Sequence, residues 1–204
     1  MVPEIIQAPE YRVSFNETIS NKEIIPLARN TEEKIMEQTS EFNWDLSQPN
    51  GIEKPQWVII GFQTNRCSTQ EQNPSVFDHL TLQSAIVKIN SKEFPESGVS
   101  VNFTTNQYLR LYNMFDNFKK EHYGIDSLVG GTQVNVPEFK SLYSILVFDV
   151  RKQSEKIKLV SVNIIVKMKF DNNVPAETKV YAIVISDRLC KLELNGSKLT
   201  LVSN

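Results

Sequence analysis

The chain holds only two imidazoles, His79 and His122, and this limits the catalysis it can carry. His79 follows Asp78, and Cys67 and Ser68 lie a short way upstream, so a Ser/His/Asp or Cys/His arrangement is formally available. A triad also needs the base within reach of the nucleophile, and donors aimed at the developing oxyanion. No G-x-S-x-G elbow supplies that context. The plainer reading of Asp78-His79 is a polar pair at the mouth of a strand. Metal chemistry is equally short of ligands: there is no H-E-x-x-H, no Cys/His cluster and no EF-hand loop. Gly130-Gly131 lacks the Lys-Ser/Thr of a phosphate loop, and Glu93, Glu96 and Asp116 would meet around Ca²⁺ only by accident of folding. The two carboxylates of a glycoside hydrolase can come from anywhere in a fold, so that class stays open. No cofactor and no metal are expected.

Charge offers little more. The formal net charge is -2, so no general basic field attracts nucleic acid. The most basic region holds Lys152, Lys156, Lys158, Lys167 and Lys169. A row of this kind is usually a solvated face or a protected sheet edge, so nucleic acid is possible but not indicated. Trp44, Trp57 and Tyr123 are possible stacking surfaces for a glycan, although the position of Trp57 in a strand suits a core better. The residues most worth following as interaction candidates are Arg66, Asp78, His79, Tyr123, Lys167 and Lys169.

The elements that must position these residues are mainly strands. From Val160 to Phe170 the even positions are apolar and most odd positions polar, a period of two with one face in a core. Lys179–Ser186 is apolar on both faces and reads as a strand covered on both sides, after an Asp171–Pro175 turn. Further strands are expected at Tyr11–Phe15, Phe42–Leu46, Trp57–Gln63, Leu80–Ile89, Ser144–Val150, Leu189–Leu194 and Leu199–Val202. A bulge near Gln83–Ser84 would reconcile the phase change within Leu80–Ile89. Asn195-Gly196 is the strongest hairpin signal. One helix is expected at about 104–122: Thr104 and Gln107 fit a capping box, Tyr108, Leu111, Tyr112, Phe115 and Phe118 form a stripe, and Gly124 stops it. A weaker helical stretch runs from Thr31 to Gln38. Thr64–Pro74 and Gly124–Pro137 read as long loops, which tend to carry function.

The pattern predicts a mainly β chain: an antiparallel jelly-roll β-sandwich of about eight strands with one helix in a connection. At 204 residues it reads as a single domain spanning 1–204, with residues 1–9 an extended N-terminal arm. Two cysteines, Cys67 and Cys190, make no disulfide framework and fit reduced thiols. Met1–Ile6 lacks the basic and apolar regions of a signal peptide, and no apolar run is long enough to span a membrane.

Several runs together resemble a known family. They are Glu53–Arg66 (Glu-Lys-Pro-Gln-Trp-Val-Ile-Ile-Gly-Phe-Gln-Thr-Asn-Arg), Phe77-Asp78-His79-Leu80, Ile89–Pro95, and Asn173–Thr178 with Tyr181 and Ser186-Asp187-Arg188. With Met114, Phe118 and His122-Tyr123-Gly124, they resemble the C-terminal half of virus-derived proteins in animal genomes. Those proteins look like double-jelly-roll major capsid proteins of Maverick/Polinton-type elements and related viruses. The resemblance spans about Phe42 to Asp187. It implies a jelly roll standing normal to a shell, a helix in one connection, and trimeric capsomers. It carries over no catalytic residue. A double jelly roll needs roughly twice this length, so a fragment, a shortened descendant and a single-jelly-roll protein all stay open.

The expected function is therefore a structural, non-catalytic viral capsid-like or capsid-derived protein. It would self-associate, as a homo-oligomer with a trimer favoured or with other capsid-type subunits, in a virion or inside a cell and without a membrane. The alternative is a β-sandwich binding module that grips a glycan or a protein partner through its loops.

Overall fold

The structure, a computed structural model, describes residues 11–13, 22–46, 54–66, 72–124, 133–153, 162–187, 190–195 and 198–202. Along Ile164–Phe170 the side chains of Ile164, Val166, Met168 and Phe170 are buried, while Lys167 and Lys169 face out. Eleven strands occur among the described residues: β1 (Tyr11–Val13), β2 (Lys22–Ile35), β3 (Glu41–Leu46), β4 (Lys54–Thr64), β5 (Leu82–Ile89), β6 (Lys92–Ser100), β7 (Leu146–Asp149), β8 (Ile164–Phe170), β9 (Thr178–Asp187), β10 (Cys190–Asn195) and β11 (Lys198–Val202). Two helices, α1 (Leu109–Tyr123) and α2 (Val136–Leu142), lie between β6 and β7.

The pairing of β2 to β9 is nested. β2 pairs with β9, β3 with β8, β4 with β7 and β5 with β6, all antiparallel. Contacts of β4 with β9 and of β5 with β8 then roll this long hairpin into two sheets. One has the order β11-β10-β2-β9-β4-β7, with β1 also on β2; the other is β3-β8-β5-β6. This is the topology of an eight-stranded jelly roll. β1, β10 and β11 are additions at the β2 edge. Inward residues from both sheets form one cluster, and the rings of Phe62 (β4) and Phe170 (β8) meet edge to face across it at 5.7 Å.

Several local expectations are corrected. Residues from Thr31 to Ile35, read as helical, belong to β2 because β9 offers them an unbroken register from Leu27 to Ile35. The helix starts at Leu109 rather than Thr104: Asn102 bridges to Gln107, its Oδ1 accepts the Thr105 N–H at 2.8 Å, and Asn106 turns left-handed at φ 59°. Thr104 and Gln107 therefore form a turn, not a cap. Gly124 does end the helix, at φ 63° with its N–H on the Lys120 carbonyl. A second helix, α2, fills part of what reads as loop, and the capping box is there: Asn135 Oδ1 accepts the Glu138 N–H and Glu138 accepts the Asn135 N–H.

The bulge in β5 falls between Leu82 and Ser84 as expected, and a second follows between Ala85 and Val87. Leu80 and Thr81 are not in the strand; both are left-handed, at φ 47° and 48°. β6 escaped the reading because Pro95 and Gly98 interrupt its pattern, and Gly98, at φ 64°, lies beside the second shift of register. The outer face of β9 is covered only in part. Phe115 and Phe118 of α1 pack over Trp57, Val147 and Ile185, whereas Tyr181 and Ile183 stay partly exposed. Residues 1–9, Cys67, Ser68, Gly130-Gly131, Lys156, Lys158 and Gly196 lie outside the described residues. No helix among the described residues is long and apolar enough to cross a membrane.

Candidate functional site

The β2–β3, β4–β5, β6–β7 and β8–β9 connections gather at one end of the sandwich. Backbone hydrogen bonds tie them together, among them Met36 N–H to the Thr178 carbonyl, Phe170 N–H to Ser40, and Asp171 N–H to Thr81. Arg66 and Asp78 meet here. The Arg66 Nη2 donates to Asp78 Oδ1 at 2.8 Å, and the Thr64 N–H donates to Asp78 Oδ2 at 2.8 Å. The Asp78 N–H in turn reaches the Phe62 carbonyl at 2.8 Å. Asp78 thus braces both ends of the β4–β5 connection. With both carboxylate oxygens engaged, it does not orient His79 as a catalytic aspartate would.

His79 is held from two sides. Its Nδ1 accepts the Thr81 N–H at 3.0 Å, and its ring stacks on Phe103 at 4.4 Å with 7° between planes. Phe103 stacks on Tyr108 at 5.2 Å, and Tyr108 on Phe139 at 6.4 Å, so an aromatic column runs from the β4–β5 connection to α2. Lys140 of α2 closes it: its Nζ donates to the Phe103 carbonyl at 2.7 Å and to Asn106 Oδ1 at 2.8 Å, above the Tyr108 ring. Burial pushes the His79 pKa below its usual value, the Lys140 charge pushes the same way, and Asp78 opposes them. Both this lowering and the acceptor role of Nδ1 favour the neutral ring.

A groove of about 900 Å³ opens beside this column, lined by Asp78, His79, Leu80, Leu109, Pro137 and Lys140 among others. It could hold an extended or apolar ligand. Its one lining serine, Ser141, donates back to the Pro137 carbonyl at 3.1 Å and is not placed as a nucleophile. Among the described residues, no three His, Cys, Asp or Glu side chains converge as a metal site would require.

The other candidates do not join this site. Tyr123 is exposed at the far end of α1, fourteen positions from Leu109 and so about 20 Å away along the helix. Lys167 and Lys169 face outward on the smaller sheet, where Glu41 lies 3.6 Å from Lys169 and Glu93 pairs with Lys88. That face alternates in sign and makes no basic stripe. Trp44 and Trp57 are buried and cannot serve as stacking surfaces. Reading by motif missed Lys140, Phe103 and Asn106, which carry no local signature and meet only through the long β6–β7 connection.

A second hollow, of about 430 Å³, lies on the outer face of the larger sheet. Ile59, Phe77, Ile145, Tyr181 and Ile183 line it, with Gly61 at its floor against Phe77. It continues the apolar strip that α1 covers at Trp57, Val147 and Ile185.

The nested strand order defines a jelly-roll β-sandwich. The sequence model of the double jelly roll-like domain family matches residues 12–190, and the chain belongs to that family. No curated protein matches the chain.

Proposed function

We propose that this chain is a non-catalytic capsid-like subunit that associates with further copies of itself, descended from a capsid protein of a Maverick/Polinton-type element or related virus. The observation that carries this reading is the apolar outer face of the larger sheet. Outward positions on a solvated antiparallel sheet are normally polar, yet Ile59, Ile145 and Ile183 lie side by side there beyond the part that α1 covers. A contiguous, partly exposed apolar strip of this kind suits an interaction site, and the family's capsid character favours a second subunit as its occupant. A head-to-tail contact of this kind closes into a ring when its rotation divides the circle, as in a trimer.

Sedimentation velocity across a concentration series tests the proposal. The wild-type chain is expected to show a concentration-dependent oligomer, which Ile59→Lys with Ile183→Lys converts to monomer at unchanged folding. A wild-type chain that stays monomeric at high concentration and at every salt would sink it. The loop-end groove supports the second reading, a module that grips a protein partner. It does not favour a glycan, because the aromatic faces beside it are spent on one another.

A further inference from the structure

We propose that His79 is an acid-sensitive latch: in its neutral form it holds the Leu80–Thr81 turn, whose Leu80 lines the loop-end groove, and its protonation releases that turn.

The geometry at Nδ1 carries the argument. The Thr81 N–H points at this nitrogen from 3.0 Å, which requires a lone pair there. Neutral imidazole supplies it when the proton sits on Nε2; imidazolium has donors on both nitrogens and no acceptor. The observed turn is therefore compatible with one charge state and one tautomer of His79.

The turn needs that support. Leu80 and Thr81 are both left-handed, at φ 47° and 48°, a conformation that side chains with a Cβ adopt reluctantly. Three further bonds involve its residues: the Thr81 hydroxyl to the Leu80 carbonyl at 2.7 Å, Leu82 N–H to the His79 carbonyl at 2.9 Å, and Asp171 N–H to the Thr81 carbonyl at 3.0 Å. The bond from Asp171 reaches the β8–β9 connection, so loss of the turn is felt beyond its own residues.

The charged surroundings oppose protonation where it stands. Lys140 faces His79 from α2, and its ammonium cannot swing away without losing the Phe103 carbonyl and Asn106 Oδ1. Among the described residues, Asp78 is the carboxylate that favours the charged ring, and its ion pair with Arg66, just past the end of β4, draws on the same carboxylate. Tyr108, at the head of α1, adds its ring to the column. The stack on Phe103 tolerates either charge state, so switching resides in the Thr81 bond and in Lys140. The lowered pKa of His79, set by burial and then by Lys140, agrees with this. The folded value lies below the unfolded value of about 6.5. Above that pH the contribution to stability is complete. As pH falls from there toward the folded pKa, open forms take up a proton that the closed form refuses, and the balance moves toward opening.

With only His79 and His122 to assign, an imidazole NMR titration resolves each ring. His79 is expected as the Nε2–H tautomer at neutral pH, with a midpoint below that of a free histidine. Exchange of the Thr81 amide, scaled to its intrinsic rate, is expected to rise at least tenfold as pH falls through that midpoint. Lys140→Met should move midpoint and exchange step together to higher pH. His79→Phe keeps the stack without the acceptor and should exchange Thr81 rapidly at every pH, with no step. Should that variant fail to fold, the wild-type titration and Lys140→Met still decide. An Nδ1–H tautomer, a midpoint at or above the ordinary value, or Thr81 exchange flat across the midpoint would overturn the proposal. None of these readouts depends on oligomerisation, so they stand or fall apart from the self-association reading.

Discussion

The Arg151 guanidinium lies over the ring of Trp57, 4.6 Å from its centroid. The same group donates to Asp149 at 2.8 Å and to Glu121 of α1 at 2.9 Å. Phe118 of α1 meets the Trp57 ring edge-on at 5.0 Å. One side chain thereby ties the helix to the sheet face it covers. Arg151→Met keeps the stem and removes the charge. It is expected to cost about 1 kcal/mol, because the group is partly exposed and solvent screens its ion pairs. A urea titration should show a lower midpoint at unchanged slope, and hydrogen exchange should quicken along α1 ahead of β4 and β9.

Acid should loosen the same tie. Burial pushes the Asp149 pKa up, but hydrogen bonds and charge from Arg151 outweigh it and hold the carboxyl below its usual range. The stabilisation is present above the unfolded carboxylate value of about 3.9 and is lost as pH falls through the folded pKa. The stability of wild type should therefore drop more steeply below about pH 4 than that of Arg151→Met. Chemical denaturation at a series of acid pH values reads this. Parallel curves would show that the Arg151–Asp149 pair contributes nothing to the acid limb.

Gly61 is set by contact with Phe77 rather than by its own backbone. A Cβ at Gly61 would stand 2.6 Å from Phe77 Cδ1 and 2.8 Å from Cε1. Phe77 is anchored by its N–H on the Leu142 carbonyl, so the ring cannot retreat without disturbing the β4–β5 connection. Gly61→Ala is expected to destabilise by about 1–3 kcal/mol. Phe77→Leu should recover part of that loss in the double variant although it costs stability alone. Strict additivity in thermal or urea unfolding would show that the two residues do not meet.

The strands legible in the sequence are those whose side chains face two different media. Val162 to Phe170 alternates because one face meets the core and the other meets water, and the structure keeps that alternation. Thr31 to Ile35 carries polar residues that suit a helix, and only the long-range partner β9 makes it a strand. The aromatic stripe from Leu111 to Phe118 marked α1 correctly, but its start depended on the Asn102–Gln107 bridge, which no spacing rule exposes. At the site, Asp78-His79 stood out by residue type alone. What gives His79 its character is first its burial and then Lys140, sixty-one positions away and brought near by α2.

The interface between the sheets should dominate stability. Phe170 is buried at 1 % exposure and meets the Phe62 ring from the opposite sheet. Phe170→Ala is expected to cost about 3–5 kcal/mol, since a cavity between two sheets cannot collapse without moving one of them. Phe170→Leu should recover roughly half of that by filling part of the volume. Equilibrium unfolding gives both values, and a loss under 1 kcal/mol for the alanine variant would contradict the packing at this point.

α2 is only seven residues long, so its cap matters more than it would in a longer helix. Asn135 Oδ1 accepts the Glu138 N–H at 2.8 Å, and the next turn carries both buried Phe139 and Lys140. Asn135→Ala is expected to cost about 1 kcal/mol. Its more specific effect falls on His79. A frayed α2 places Lys140 less firmly, which weakens the charge that helps to keep His79 neutral. The His79 midpoint should therefore rise toward the ordinary histidine value in Asn135→Ala, while that of His122 on α1 stays put. Equal shifts at both histidines would point to general loosening instead, and an unchanged His79 would mean that burial alone, without Lys140, sets its charge state.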